Sequence, residues 1–248
     1  MALLHAFVAL SDLMELQLGV AHLNHCLRQT AADNDEKFVK STAEKLGLPF
    51  FVKKKDIRAE QEKTGLSLEE AGRDARYHFF NEVCQKTQFD KIAVGHHQED
   101  NAEQILLNLI RGSGPAGIGG IPPVRGNIIR PLIQTSHDEI MEYLKTRQID
   151  YVIDQSNNDK RFFRNRIRHQ LMPLLKSTYN PAITFNIIHI NHSINNMFQD
   201  FGPGDISLPS NLSGHKQSNT RILRHNSKSL PAFINLPYRP PPPTIPRT

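Results

Sequence analysis

Short apolar segments alternate with helical segments along the first half of this chain, and this alternation restricts its fold more than any other feature. Residues 18–24, 49–53 and 91–95 have the composition of buried strands. Residues 30–46 and 67–86 have the apolar spacing of helices packed on one side. Strands joined by helices of this length form right-handed crossovers and pair in parallel. The sequence therefore predicts an α/β fold whose parallel sheet is covered on both faces.

The segment 95–114 places two histidines and several carboxylates around the start of one short helix. Because the apolar residues 91–95 precede it, these polar groups lie at the carboxyl edge of the predicted sheet, where ligands bind. Asp100 and Glu103 are one helical turn apart and share one side. We predict that they hold a cation or orient a nucleophile; the alternative is that Glu99 and Asp100 only complement the helix dipole. The buried face is predicted to contain Ile105, Leu106, Leu109 and Ile110.

A second polar cluster follows the first predicted strand. It comprises His22, Asn24, His25, Cys26 and Arg28. Side chains at the carboxyl end of a strand face the ligand crevice, so we expect this cluster to line it. Two alternatives are open: a zinc site that adds His96 and His97 to the histidines and the thiol, and a polar strand end that bonds to nearby backbone.

Arg76 lies in the middle of the predicted helix 67–86. A guanidinium group can donate two charge-assisted hydrogen bonds to a phosphate, which favours a position in the crevice. The alternative is a surface ion pair with Asp74 or Glu70.

A basic segment falls within the predicted helix 159–176. Its charged residues are Lys160, Arg161, Arg164, Arg166 and Arg168, with aromatic residues between them. This pattern is typical of a surface that grips a nucleic-acid backbone, and the alternative is a solvated helix face. The formal net charge of +5 is weaker support, because most of it falls after residue 181.

The chain changes character after residue 181. Residues 1–181 contain 24 Lys and Arg against 23 Asp and Glu, while residues 182–248 contain six against two. Nine of the 16 prolines lie in the second part, which has no clear apolar period. We therefore predict a folded domain in 1–181 and a mostly disordered tail in 182–248. A linker, a proline-rich ligand and a shifted reading frame are alternatives for the tail.

Three further features concern the remaining elements and the compartment. Residues 1–10 are predicted to form a helix packed on one side, and Ser136 with Glu139 is predicted to cap a helix over 136–147.

The two cysteines are too few for a disulfide framework. The chain contains no apolar run of membrane-spanning length and no basic segment before its first apolar residues. These features predict a soluble cytoplasmic protein without a membrane partner.

Five motifs, in this order, closely resemble those of the tRNA(Ile)-lysidine synthases, which belong to the N-type ATP pyrophosphatases of the PP-loop superfamily. The motifs are residues 22–28, 76–80, 95–114, 129–132 and 154–169. The resemblance implies a Rossmann-like parallel sheet of the adenine nucleotide alpha hydrolase kind. It also implies a ligase that uses ATP and Mg²⁺ to adenylate the C2 oxygen of the wobble cytidine in the CAU-anticodon tRNA(Ile). Free L-lysine then displaces AMP, so that the products are lysidine, AMP and pyrophosphate.

The resemblance further implies roles for individual residues. The expected catalytic residues are Asp100, Glu103 and Arg76. Asp100 would hold Mg²⁺ or position the reacting groups, Glu103 would recognise the lysine amine or the cytosine, and Arg76 would neutralise the phosphate charge. The expected ATP-binding residues are His22, Asn24, His25, His96 and His97. The expected tRNA-binding residues are Arg161, Arg164, Asn165, Arg166 and Arg168.

The chain departs from this family at its start. Family members begin with a strand and a Ser-Gly-Gly-X-Asp-Ser loop that binds pyrophosphate, and this sequence contains no Ser-Gly-Gly. We therefore expect the sheet to lack its first central strand and the PP-loop, which would leave the strands 18–24 and 91–95 without their shared partner. This predicts poor folding and little ATP-dependent activity. The alternatives are a tRNA thiolase of the same superfamily and an inactive tRNA-binding remnant, and a homodimer is left open.

Overall fold

The computed structural model describes residues 1–27, 29–87, 89–113, 118–152, 163–200 and 232–235. The helices are α1 (Ala2–Met14), α2 (Gln29–Lys45), α3 (Ile57–Thr64), α4 (Leu68–Thr87), α5 (Gln98–Ile110), α6 (His137–Thr146), α7 (residues 163–179) and α8 (Ile183–Asp200). The strands are β1 (Gln17–Asn24), β2 (Phe50–Lys54), β3 (Lys91–Ala93), β4 (Val124–Arg125), β5 (Ile128–Ile129) and β6 (Ala232–Asn235). The predicted alternation of strands and helices is confirmed. No helix in these ranges is long and apolar enough to cross a membrane.

The strands form one six-stranded sheet in the order β2-β1-β6-β3-β5-β4. β1 is parallel to β2, and β3 is parallel to β5. Because β6 is antiparallel to both β1 and β3, these two strands also run in the same direction. The carboxyl ends of β1, β2, β3 and β5 therefore meet at one edge, as predicted for a ligand-binding edge.

β6 corrects one expectation drawn from the sequence. β1 and β3 were expected to lack a shared partner, but β6 lies between them and pairs with residues 17–20 and 91–93. The physical reason is that a segment of the tail supplies the backbone donors and acceptors that two facing strand edges require. The tail predicted over 182–248 also contains the regular elements α8 and β6, and disorder in the rest of it stays a prediction. Residues 201–231 and 236–248 lie outside the described part of the chain.

Helices cover both faces of the sheet, and each face has its own apolar core. On one face α4 packs on β1 and β3 through Phe79, Phe80, Val83, Ala21, Leu23 and Ile92. On the other face α1 and α2 pack on the same strands through Leu3, Leu4, Val39, Ala43, Leu18 and Val20. Burial on both faces explains why the strand segments are almost continuously apolar in sequence.

A third cluster lies beside the sheet, where α5, α7 and α8 meet. It comprises Ala102, Leu107, Ile167, Met172 and Ile188. The predicted buried face of α5 is thus partly wrong: Ile105 and Leu107 are buried, while Leu109 and Ile110 are 56% and 51% exposed. The reason is that α7 and α8 pack against the side of α5 that contains Ala102 and Leu107, which leaves the end of the helix exposed.

The start of α6 confirms the predicted capping box. The Oγ atom of Ser136 accepts a hydrogen bond from the backbone N–H of Glu139 at 3.2 Å. The Glu139 carboxylate in turn accepts from the backbone N–H of Ser136 at 2.7 Å. These two bonds satisfy N–H groups that have no partner within the helix. They fix the backbone at the beginning of α6.

Candidate functional site

The candidate site lies where β3 passes into α5, at the carboxyl edge of the sheet. After β3 the chain continues through His96 and His97, and α5 begins at Gln98. The backbone N–H of Gln98 donates to the carbonyl of Thr135 at 2.9 Å, which attaches the helix start to the segment before α6. This is the strand-to-helix connection that the sequence predicted.

Two carboxylates of α5 and two guanidinium groups of α7 form a buried charged cluster. Arg168 binds Glu103 in a two-pronged arrangement, with Nε 2.6 Å from Oε1 and Nη2 2.8 Å from Oε2. Arg168 also donates from Nη2 to Oδ1 of Asp100 at 2.9 Å. Arg164 lies 3.2 Å from Oδ1 of Asp100 through Nη2, and 3.0 Å from Oε2 of Glu103 through Nε. Each carboxylate therefore contacts both arginines, and the four formal charges cancel.

The position of α7 corrects the predicted surface role of its basic residues. Arg164 and Asn165 are buried, and Arg168 is directed at the carboxylates of α5. Arg166 is exposed, and its guanidinium carbon lies 5.0 Å from the centre of the Phe163 ring. Arg161 lies outside the described residues. A run of basic residues was interpreted as one surface, whereas burial separates it into an internal part and an external part.

The surroundings of Asp100 determine its charge. Burial alone would raise the pKa of this carboxyl group, but the positive charges of His97, Arg164 and Arg168 outweigh burial and hold the pKa below its usual value. Asp100 is therefore ionised at neutral pH. Its Oδ1 accepts from both arginines, and its Oδ2 accepts from the backbone N–H of His97 at 3.1 Å.

The same contacts bear on the metal predicted at Asp100. Mg²⁺ needs free carboxylate oxygens, and both oxygens of Asp100 already accept hydrogen bonds, Oδ1 from arginine and Oδ2 from backbone. The arrangement therefore does not fit Mg²⁺ with Asp100 as its ligand. Within the described ranges, no three His, Cys, Asp or Glu side chains come together as a metal site, so the zinc alternative has no support either.

Glu99 joins the start of α5 to the start of α6. Its Oε2 lies 2.9 Å from Nδ1 of His97 and accepts from the backbone N–H of His137 at 2.9 Å. The rings of His97 and His137 are 5.7 Å apart. On its other side, Nε2 of His97 lies 3.5 Å from Oδ2 of Asp100. His97 therefore bridges the carboxylates of Glu99 and Asp100. Glu99 thus makes a specific contact in addition to the helix-dipole contribution considered for it.

We expect His97 to make stability depend on pH. Burial alone would lower the pKa of His97, but the hydrogen bond to Glu99 and the charges of Asp100 and Glu99 raise that pKa above its ordinary 6.5. Protonated His97 thus favours the folded state, and its contribution is complete below pH 6.5 and is lost as the pH rises through the raised folded-state value. The melting temperature of His97→Gln should lie furthest below that of the unmodified chain in mild acid, and the gap should narrow in alkali. His169→Gln, at an exposed position, is the control, and a gap that widens with pH would contradict the assignment.

His96 is buried and neutral. Its Nδ1 accepts a hydrogen bond from Nε of Arg130 at 3.1 Å, and burial lowers its pKa to about 3. Arg130 is itself buried and donates from Nη1 to the carbonyl of Pro122 at 2.8 Å. Arg130 belongs to one of the five motifs, but this contact could not be predicted from the sequence. It holds the ring of His96 against the segment that follows β5.

The contacts of the cluster at the end of β1 agree with one of the interpretations considered for it, a polar strand end. Asn24 donates from Nδ2 to Asp33 at 3.1 Å and to Glu36 at 2.8 Å, while its Oδ1 accepts from the backbone N–H of Cys26 at 3.0 Å. Lys54 completes this network through Asp33 at 2.7 Å. The side chain of Asn24 is thus engaged by α2 and by nearby backbone. Arg28 lies outside the described residues.

α4 places positive charge near His22, after β1, and near His96, after β3. Arg73 and Arg76 are buried, so the surface ion pair considered for Arg76 is wrong. Burial is the main cause that lowers the pKa of His22, and Arg76 adds to it. In the same way, Arg73 adds to the effect of burial on the pKa of His96. Positive charge along a crevice at the carboxyl edge suits an anionic ligand.

Glycine allows one close contact between α4 and the end of β1. A Cβ atom on Gly72 would lie 3.2 Å from two atoms of the His25 ring. This distance is shorter than an ordinary van der Waals contact, so a larger residue would push the ring away. His25 is therefore held against α4, on the same helix as Arg73 and Arg76.

The chain is similar to proteins of one family. Residues 1–175 match the PP-loop domain family. The tRNA(Ile)-lysidine synthase of Petrotoga mobilis is 40% identical over 176 residues, which are 71% of this chain and 56% of that protein. Those of Clostridium tetani and Geobacter sulfurreducens are 39% and 44% identical, over 81% and 70% of this chain and 42% and 37% of those proteins. The chain thus spans about half the length of these curated relatives, or less.

A solved structure supports the fold alone. The U34-tRNA thiolase NcsA from Methanococcus maripaludis with its [4Fe-4S] cluster superimposes with a TM-score of 0.51 at 17% identity. The match covers 71% of this chain and 60% of the thiolase.

Proposed function

The chain belongs to the PP-loop domain family, and from its similarity to tRNA(Ile)-lysidine synthases we propose that it joins lysine to a tRNA base at the expense of ATP. The acceptor is C2 of the wobble cytidine in the CAU-anticodon tRNA(Ile). The C2 oxygen attacks the α-phosphorus of ATP, and pyrophosphate leaves. The amino group of free lysine then attacks C2, the C2–oxygen bond breaks and AMP leaves, so that lysidine remains. The reaction takes place in the cytoplasm.

The observation that carries this proposal is the pair of buried carboxylates at the carboxyl edge. A cationic amine needs negative charge for recognition, and the carboxylates of Asp100 and Glu103 supply it once the amine displaces Arg168. Glu103 is proposed to recognise the amine of lysine, and Asp100 to orient the reacting groups. Arg164 and Arg168 hold both carboxylates in place until the substrate binds.

The proposal assigns roles to the remaining residues of the site. Arg76 is proposed to neutralise the phosphate charge as pyrophosphate leaves, because it is buried near His22 on the positive side of the crevice. His22, Asn24, His25, His96 and His97 are proposed to line the ATP pocket. Arg161 and Arg166 are proposed to contact the tRNA backbone, while Arg164, Asn165 and Arg168 act inside the domain. Mg²⁺ enters this proposal only as the companion of the ATP phosphates.

The cysteines do not favour the thiolase alternative. Sulfur transfer needs a thiolate, and burial raises the pKa of the Cys84 thiol to about 11. Cys26 is exposed at the end of β1. Because one of the two thiols is held in its protonated form, lysine transfer is the better-supported function.

Incorporation of labelled lysine into a tRNA transcript tests the proposal. The full chain should label the CAU-anticodon transcript at a low level, because its sequence contains no Ser-Gly-Gly, and labelling should require ATP. A matched transcript in which the anticodon is GAU is the control, and it should stay unlabelled. Equal labelling of both transcripts, or labelling without ATP, would contradict the assigned reaction. The elution volume of the chain on a sizing column tests the homodimer separately.

A further inference from the structure

β6 holds the two halves of the sheet together. On one side lies the pair β2-β1, and on the other lies the group β3-β5-β4. Among the described strands, no other pairing connects these halves. The facing edges of β1 and β3 would otherwise present rows of unpaired N–H and C=O groups inside the protein.

The slot between β1 and β3 has a defined register. β6 pairs with four residues of β1, from Gln17 opposite Asn235 to Val20 opposite Ala232. It pairs with three residues of β3, from Lys91 to Ala93. Because the pairing occurs on both sides, the segment is bound as a central strand. β1 itself continues to Asn24, so β6 fills the part of the slot away from the carboxyl edge.

The walls of the slot are apolar. Leu18, Val20, Ile92 and Ala93 are buried, and each of them stands opposite a residue of β6. The segment that pairs with them begins with Ala-Phe-Ile. A short extended segment with apolar residues therefore matches what both walls offer.

The occupant is attached to the domain by a long connection. Residues 201–231 separate the end of α8 from the start of β6. Closing a connection of this length costs little more entropy than closing one half as long. The segment therefore acts as a peptide supplied at high local concentration.

We propose that the slot between β1 and β3 is a peptide-binding site of the strand-addition type, and that its occupant is the segment 232–235 of the same chain. The ligand is an extended apolar peptide of four residues, bound by backbone hydrogen bonds on both sides. This site is separate from the carboxylate cluster and does not depend on the proposed function. Because the tethered occupant is present at high local concentration, the same peptide supplied from outside should bind only when the occupant is disabled.

A proline in the occupant is the first test. Ile234→Pro removes a backbone N–H and places proline in a central strand, where it is not tolerated. In the full chain this substitution should lower the melting temperature by roughly 5 °C or more. Ile234→Val keeps the backbone N–H and the β-branched side chain, so it is the control and should leave the melting temperature nearly unchanged. Equal melting temperatures for Ile234→Pro and the unmodified chain would overturn the proposal.

Adding the peptide back tests whether the slot is a binding site. A fluorescent peptide with the sequence of residues 230–237 should bind the Ile234→Pro chain and restore its melting temperature. The same peptide with proline in place of the isoleucine is the control and should do neither. Failure of the matching peptide to bind a folded Ile234→Pro chain would overturn the proposal.

A disulfide test applies even if Ile234→Pro does not fold. Residues 17 and 235 are directly opposite, at a spacing that a disulfide can bridge. The double variant Gln17→Cys, Asn235→Cys should form an intramolecular disulfide, while Gln17→Cys, Ile234→Cys, one residue out of register, should form much less. Single-cysteine variants control for Cys26 and Cys84. A disulfide-linked dimer would show that a second copy supplies the strand, and no cross-link would refute the register; either result overturns the proposal.

Discussion

Arg164→Ala is expected to lower the free energy of unfolding by about 3–5 kcal/mol, which is the cost of breaking a buried ion pair from one side. Arg164 is buried and lies close to both Asp100 and Glu103. Removing it would leave two carboxylates with the charge of Arg168 alone. Urea unfolding followed by circular dichroism measures the change.

Arg166→Ala is the matched control for this prediction. It removes the same chemical group two residues away, but Arg166 is exposed and contacts the ring of Phe163. Its loss should cost about 0.5 kcal/mol or less. Adding Asp100→Asn to Arg164→Ala should recover part of the lost stability, because it removes one of the two unbalanced charges. Similar losses for the two arginine variants would contradict the internal role of Arg164.

The strands and helices near the site were predictable because their signals are local. Residues 18–24 and 91–95 are apolar runs, and the capping box at Ser136 lies within four residues of sequence. β6 had no such signal. It has four residues within a proline-rich tail, and it becomes a strand only because two distant strands leave a slot of its width. Non-local pairing of this kind cannot be inferred from periodicity.

Only the α5 half of the candidate site was predictable from the sequence. Spacing placed Asp100 and Glu103 on one side of α5, and the structure confirms this. Their partners on α7 were assigned to RNA, because a basic run contains no information about which residues are buried. The contact of Glu99 with residue 137 joins positions that are far apart in sequence, so no local pattern could reveal it. Charge type was therefore readable from the sequence, and pairing was not.

The buried cluster also suggests how the substrate could enter. Arg168 is the most exposed of the four members, with 27% of its side chain accessible, whereas the Asp100 and Glu103 side chains are almost fully covered. A cationic substrate that approaches the carboxylates must therefore compete with Arg168 first. The π-helical turn Ile167–Leu171 contains this arginine, and such turns often occur at functional sites.

Asp100→Asn is expected to reduce incorporation of labelled lysine into the CAU-anticodon transcript by about 100-fold or more. The substitution keeps the size of the side chain but removes the negative charge that the surrounding cations stabilise. Asp138→Asn makes the same chemical change on the exposed first turn of α6, so its incorporation should be unchanged.

Loss of stability is separated from loss of chemistry by a second control. Leu107→Ala opens a cavity in the cluster between α5, α7 and α8 and should cost about 2–5 kcal/mol. It leaves the carboxylates in place, so the folded fraction of this variant should still incorporate lysine. Full incorporation by Asp100→Asn, measured at a temperature where all variants are folded, would remove Asp100 from the site. A loss in Leu107→Ala equal to that in Asp100→Asn would instead attribute the effect to stability.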